Sequence, residues 1–283
     1  MAKSFLITLP SDFTSELHPN NIISNFKTEF KVPFNLSNNY ECGLVEIIYP
    51  TTICNIPFDM NIVLRTERPG LDIILDKVTL KSGNYLNENE IFTEISNKMN
   101  TVTKLSIEEN IKKFLYLEKD KVDIEIDMPI FQINNKYISR EDGKITISIN
   151  GRVKNDIPIY WKFDEYLHLL LGFQENETSR VKNAKYPIDI FGNISELYIY
   201  TNIIRESFVG NKKAQLLRVI PVDKPTDKKI IINKSISFNP ILFYPLRSTT
   251  FDLIEIQIRD STGNLIKFES GKVIITLMFK EIN

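Results

Sequence analysis

His18 and His168 are the only histidines in the chain, and that restricts most side-chain chemistry. Ser-His-Asp and Cys-His catalysis need an imidazole beside the nucleophile, and most zinc sites need one beside further ligands. Neither histidine has such company. No H-E-x-x-H run surrounds them; His168 lies inside Tyr166-Leu167-His168-Leu169-Leu170, and His18 follows a polar N-terminal stretch. His168 reads as a packed or surface helix residue and His18 as a loop residue. Asp123, Glu125 and Asp127 alternate with Val122, Ile124 and Ile126, which puts three carboxylates on one face of a strand. Clustered oxygens can hold calcium, and two carboxylates at a suitable separation can hydrolyse a glycoside. The simpler reading, a solvated strand face, is the one expected.

Glu88, Glu90 and Glu94 begin a helical pattern, where negative charge suits the dipole. Gly210-Asn211-Lys212-Lys213 lacks the G-x-x-x-x-G-K-[ST] spacing of a phosphate cradle. The run Ile159-Tyr160-Trp161-Lys162-Phe163 carries the only tryptophan. Exposed, these rings could stack a sugar; packing beneath the helix that follows is the expectation. Cys42 and Cys54 flank an apparent strand and its loop, a spacing that permits a bridge, but buried thiols are expected. No catalytic, cofactor-binding or metal-binding residue emerges, no cofactor is implied, and the chain does not read as an enzyme.

Composition narrows the partners. The 283 residues carry 35 basic and 36 acidic side chains, a formal charge of -1, with no basic block of the kind that neutralises phosphates. Direct nucleic-acid binding is not expected. A chain of this size buries roughly three quarters of its unfolded surface, enough for a large core or two smaller ones without disulfides or metals. The apolar stretch Phe5 to Leu9, closed by Pro10, is too short for a secretory core or a membrane span, and no later window reaches the roughly 20 apolar residues a spanning helix needs. A soluble product made and used inside the cell is expected. The sequons at Asn35, Asn176, Asn193 and Asn233 carry little weight without a secretion signal.

The elements that would hold these residues are mostly strands. Phe26 to Leu36, Tyr40 to Tyr49, Asn61 to Thr66 and Leu71 to Leu80 are separated by turn formers such as Ser37-Asn38-Asn39 and Pro69-Gly70. Leu197 to Tyr200, Leu216 to Val222, Phe251 to Arg259 and Lys272 to Phe279 form a second group. Within the third of these, Ile254, Ile256 and Ile258 alternate with Glu255, Gln257 and Arg259, as a half-buried strand requires. Val273 to Phe279 is apolar on both faces, so it belongs inside a sheet or under a partner. Between the groups, Ile91, Ile95 and Met99 mark one stripe of a helix, strands follow at Lys113 to Leu117, Val122 to Asp127 and Lys144 to Ile149, and a short helix from Phe163 to Leu171 stops at Gly172. The expected fold is mainly β: a single eight-stranded jelly-roll sandwich, residues 1–80 giving the first four strands and 191–283 the last four, with an inserted α+β domain over 81–190.

One series of blocks has a family likeness. Leu197-Tyr198-Ile199-Tyr200, Phe208-Val209-Gly210, Leu216-Leu217-Arg218-Val219-Ile220-Pro221-Val222, Phe251-Asp252 with Ile254-Glu255-Ile256 and Arg259-Asp260, then Phe268 through Gly271-Lys272-Val273 to Leu277 and Phe279 resemble the penton, or minor capsid, proteins of Maverick/Polinton elements and mavirus-type virophages. Leu9-Pro10-Ser11, Gly43-Leu44-Val45-Glu46-Ile47 with Tyr49-Pro50, Gly83 with Tyr85, and Leu171-Gly172-Phe173 fit the same series more loosely. Residues from about Thr101 to Asn155 depart from it. The resemblance implies a structural virion protein, assembled inside the host cell as a homopentamer at icosahedral fivefold vertices and surrounded by major capsid protein trimers. Near-zero net charge weakens repulsion among like subunits. The alternative is a carbohydrate-binding or host-attachment jelly-roll module, and a host receptor or glycan is a partner either reading allows.

Overall fold

A computed structural model describes residues 3–13, 17–68, 71–99, 101, 131–133, 144, 146–149, 159–174, 181–191, 194–222 and 233–282. In chain order the strands begin with β1 (Ser4–Pro10), β2 (Asn25–Asn35), β3 (Tyr40–Pro50), β4 (Met60–Arg68) and β5 (Leu71–Leu80). Helix α1 (Glu88–Met99) precedes β6 (Phe131–Ile133), β7 (Thr146–Ile149) and β8 (Ile159–Phe163), and α2 (Glu165–Leu170) precedes β9 (Val181–Asn183). The rest are β10 (Glu196–Thr201), β11 (Ser207–Val209), β12 (Lys212–Ala214), β13 (Leu216–Pro221), β14 (Asn233–Ser237), β15 (Phe243–Pro245), β16 (Thr250–Arg259) and β17 (Ile274–Glu281). The chain divides into two compact units, Met1–Cys54 with Asn193–Asn283, and Asn55–Gly192. The protein is mainly β and its sheets are antiparallel.

In the first unit one sheet runs β1-β17-β3-β14, with β15 also on β3, and the other runs β13-β10-β16-β2. Both feed one core: Leu9, Ile47 and Leu277 come from the first sheet, and Leu197, Leu217 and Ile256 from the second. The period-two reading of the isoleucine strand holds, with Ile254, Ile256 and Ile258 buried and their neighbours half-exposed. Each such isoleucine contributes roughly 1.5–3 kcal/mol by leaving water. β17, apolar on both faces, lies between β1 and β3. Four rings tie the sheets together: Phe279 of β17 stacks on Phe5 of β1 and on Phe251 of β16, and Phe34 of β2 stacks on Phe5 and Phe251.

The strands expected in the first unit need a correction. Met60–Arg68 and Leu71–Leu80, placed by spacing among its first four, pair instead with each other and with β8 in the order β5-β4-β8, inside the second unit. The first boundary therefore falls after Cys54 rather than after residue 80. Spacing reports that a strand exists; it does not name its partner. β1, read from sequence only as a short apolar stretch, and β14, too polar to stand out, belong to the first unit. Apart from the short β15, its two sheets thus draw three strands from before the second unit and five from after it.

The second unit has its own core. The stripe Ile91, Ile95 and Met99 of α1 is buried in one core with Met60, Ile62, Leu64 and Trp161. Asn87 caps that helix: its Oδ1 accepts from the Glu90 amide at 3.1 Å, and Glu90 Oε2 accepts from the Leu86 amide at 2.8 Å. α2 ends where expected, with Gly172 at φ +81° and the Phe173 amide donating to the His168 carbonyl. β7 takes up the expected strand at Lys144 to Ile149, and β6, β7 and β9 form a further sheet. The expected strands Lys113 to Leu117 and Val122 to Asp127 lie outside the described residues.

Candidate assembly surface

The residues that could have done chemistry do not converge. His168 is buried on α2, its ring stacked on Phe173 at 5.5 Å, as a core residue. His18 Nε2 stands 3.4 Å from Glu29 Oε2 in the connection between β1 and β2, with no nucleophile beside the pair among the contacts of the described residues. Glu90 is spent on its cap and Glu94 faces Lys98 at 3.7 Å along α1. Gly210, at φ +61°, turns the β11–β12 hairpin, which lifts Phe208 into solvent at 74 % exposure with Lys213 Nζ 5.7 Å from its ring. Asp123, Glu125 and Asp127 lie outside the described residues.

Trp161 is 1 % exposed on β8, opposite Leu64 of β4, and Tyr160 and Phe163 are buried with it. The run at 159–163 is core of the second unit, and its tryptophan cannot meet a sugar from solvent. Cys42 and Cys54 are free, buried thiols. Burial pushes the Cys42 thiol far above its ordinary range. Cys54 is raised too, first by burial and then by the Glu269 carboxylate, with Lys267 opposing. Both stay protonated, which removes them as nucleophiles. Among the described residues no cluster of three or more His, Cys, Asp or Glu could hold a metal, and no helix is long and apolar enough to cross a membrane.

What the first unit does present is sheet edge and exposed apolar side chain. In the second sheet the edge strand β2 carries Lys27, Glu29, Lys31 and Pro33, and the other edge, β13, carries Arg218 and Pro221. Charge and proline are the devices that keep an edge from pairing. Phe13, Leu17 and Ile22, between β1 and β2, are exposed, as are Val32 of β2 and Leu242 between β14 and β15. Gly43 of β3 lies against that last connection: a Cβ there would meet Ile241 Cγ2 at 2.5 Å and the Leu242 carbonyl oxygen at 2.6 Å. Only a missing side chain lets the chain cross β3 so closely.

Two of the solved structures similar to this chain are of the mavirus penton protein and the Sputnik virophage. The selenomethionine-labelled mavirus penton protein matches over 100 % of both chains at 12 % identity, with a TM-score of 0.44. A chain of the Sputnik virophage, seen by electron cryomicroscopy, matches over 98 % of this chain and 97 % of its own at 13 % identity, with a TM-score of 0.42. The first belongs to the group that the sequence blocks resemble. No protein-family model matches the chain, and no curated protein does.

Proposed function

We propose that the chain is a structural capsid protein of the penton kind, its first unit a single eight-stranded jelly roll and its second an insertion between the third and fourth of those strands. Counted one to eight along the chain, β1, β2, β3, β10, β13, β14, β16 and β17 lie in the orders 1-8-3-6 and 2-7-4-5. Two Greek keys wound into a double sheet give this order, and it is the observation that carries the reading. Jelly rolls serve capsids and lectins alike, so the fold leaves function open. The sequence blocks that resemble penton proteins favour the capsid, and burial of Trp161 takes away the aromatic platform on which the carbohydrate-binding alternative relied.

In this reading five copies form a ring at each icosahedral fivefold vertex and contact major capsid protein trimers. The work is assembly inside the host cell, without catalysis and without direct contact to nucleic acid. A ring uses two different patches on each subunit, so its geometry must close on itself. The second unit is then free to vary and to meet a host receptor or glycan. Imaging of purified particles with a label on the second unit tests the reading: density at the fivefold corners is expected, and corners occupied by another polypeptide would overturn it.

A further inference from the structure

We propose that copies of this chain join edge to edge, β14 of one copy pairing antiparallel with β1 of the next, so that the β1-β17-β3-β14 sheet continues from subunit to subunit. The inference rests on the ring reading above and names the surface that closes it.

The backbone parity of the two edges is fixed by hydrogen bonds at the ends of the strands. The Glu281 amide donates to the Lys3 carbonyl and the Ser11 amide to the Val273 carbonyl, each at 2.9 Å. Bonded pairs alternate along an antiparallel ladder, so Phe5, Ile7 and Leu9 face β17 through their backbones. The amides of Ser4, Leu6 and Thr8, with the carbonyls of those residues and of Pro10, point to the side on which no described strand pairs with β1. On β14 the Phe238 amide donates to the Val45 carbonyl at 2.9 Å, which turns Ile236 and Lys234 toward β3. Pro50, lacking an amide hydrogen, stands opposite Asn233, as that alternation requires. Asn233, Ser235 and Ser237 are left with amides and carbonyls facing outward.

Three features make these two edges suited to each other. Each offers three amides and at least three carbonyls at every second residue. Among the described residues, none that turns its backbone outward on these two edges is charged or, apart from the terminal Pro10, proline, whereas on β2 the Ile258 amide, donating to the Ser24 carbonyl, leaves the backbones of Lys27 and Glu29 facing outward. And the sheet has four antiparallel strands in its path, so its two edges run in opposite directions; copies arranged in a ring whose axis runs along the strands keep those directions and meet with β14 antiparallel to β1. The same even count puts the side chains of both open sets, Ser4, Leu6 and Thr8 with Asn233, Ser235 and Ser237, on the exposed face, so the pleat continues across the join. Two charge pairs near β1 are matched within the chain: Asp12 with Lys272 and Glu41 with Lys280. A neutral edge suits a second copy of a chain whose net charge is -1. Setting Leu6, 56 % exposed, opposite Ser235 aligns Ser4 with Ser237 and Thr8 with Asn233, for about six backbone hydrogen bonds.

The test mixes two full-length single variants, Leu6→Cys and Ser235→Cys, and oxidises them; the native thiols are buried. Opposed residues of a bonded pair lie about 5.5 Å apart at Cα, within disulfide reach. A cross-linked product from the mixture, absent when either variant is oxidised alone, is expected. Leu6→Cys linking to itself would mean a symmetric β1–β1 dimer and overturns the proposal; no cross-link also overturns it. Leu6→Pro and Ser235→Pro each remove one outward amide and spare the internal ladders, and each should reduce a ring, measured by light scattering, to single chains. A ring that survives both proline variants refutes the edge pairing and leaves the penton reading standing; that reading fails separately, if particle images show another polypeptide at the corners.

Discussion

Replacing Phe279 by leucine separates ring stacking from apolar volume at the point where the two sheets of the first unit meet. Phe279 is fully buried, stacked on Phe5 at 4.9 Å with the planes 3° apart and on Phe251 at 5.7 Å and 16°. Phe34 closes the quartet at 5.9 Å from Phe5 and 5.1 Å from Phe251. Truncation to alanine removes the whole ring and leaves a cavity, at a cost of about 3–5 kcal/mol. Leucine keeps most of the apolar contact but loses two ring pairs worth about 0.5–1.5 kcal/mol each, so about 1–3 kcal/mol is expected. With a urea slope of about 2 kcal/mol per molar, a loss of 2 kcal/mol moves the midpoint down by about 1 M. Hydrogen exchange at the β17 amides is the better readout, because the only tryptophan, Trp161, reports on the other unit. The decisive measurement is a double-mutant cycle with Phe5→Leu, for which a coupling of about 0.5–1.5 kcal/mol is expected. Additivity within about 0.3 kcal/mol would show that the rings fill space without stacking and would refute the account.

Gly43→Ala should lower the urea midpoint by the equivalent of about 1–3 kcal/mol, since the new methyl meets the Leu242 backbone carbonyl as well as the β-branched Ile241 side chain; an unchanged midpoint would mean that the 239–242 connection moves freely off β3. Above pH 9.0, the ordinary thiol value, an unfolded Cys42 releases a proton that the buried folded thiol keeps. Its share of the stability should then fall with rising pH by about 1.4 kcal/mol per unit, a share absent at neutral pH and removed by Cys42→Ala, while the raised Cys54 and Tyr200 leave a remainder of the same sign; reaction of Cys42 with a thiol reagent in the folded protein at pH 8 would contradict it. Asn87→Ala removes the acceptor for the Glu90 amide and should cost about 1 kcal/mol, seen as faster hydrogen exchange in the first turn of α1, with Asn87→Asp close to neutral.

The elements that sequence revealed are those whose burial is one-sided and local. Ile254, Ile256 and Ile258 declare a half-buried strand because the core takes every second side chain, and the Ile91-Ile95-Met99 stripe and Gly172 declare two helices through spacing alone. The elements it hid differ in kind. In β1 the exposed Leu6 interrupts the alternation of Phe5, Ile7 and Leu9, so the strand passes for a short apolar run. β14 reads Asn-Lys-Ser-Ile-Ser because it is an edge with little side chain to bury. β4 and β5 have strand patterns as good as any, yet their sheet is decided by pairing with β8, almost a hundred positions further on; nothing local to them says so.

Chemistry by side chains leaves a signature of residue types at fixed spacings, and the histidines, cysteines and tryptophan proved to be core or singly paired groups. Association through backbone edges leaves almost none, because amides and carbonyls are the same in every residue. What selects β1 and β14 is that no charged residue turns its backbone outward on either, as Lys27 and Glu29 do on β2, together with an even number of strands between them. Neither property belongs to a single position. Both appear only when four strands far apart in the chain are laid side by side, and a surface defined in that way has to be found in the sheet before it can be found in the sequence.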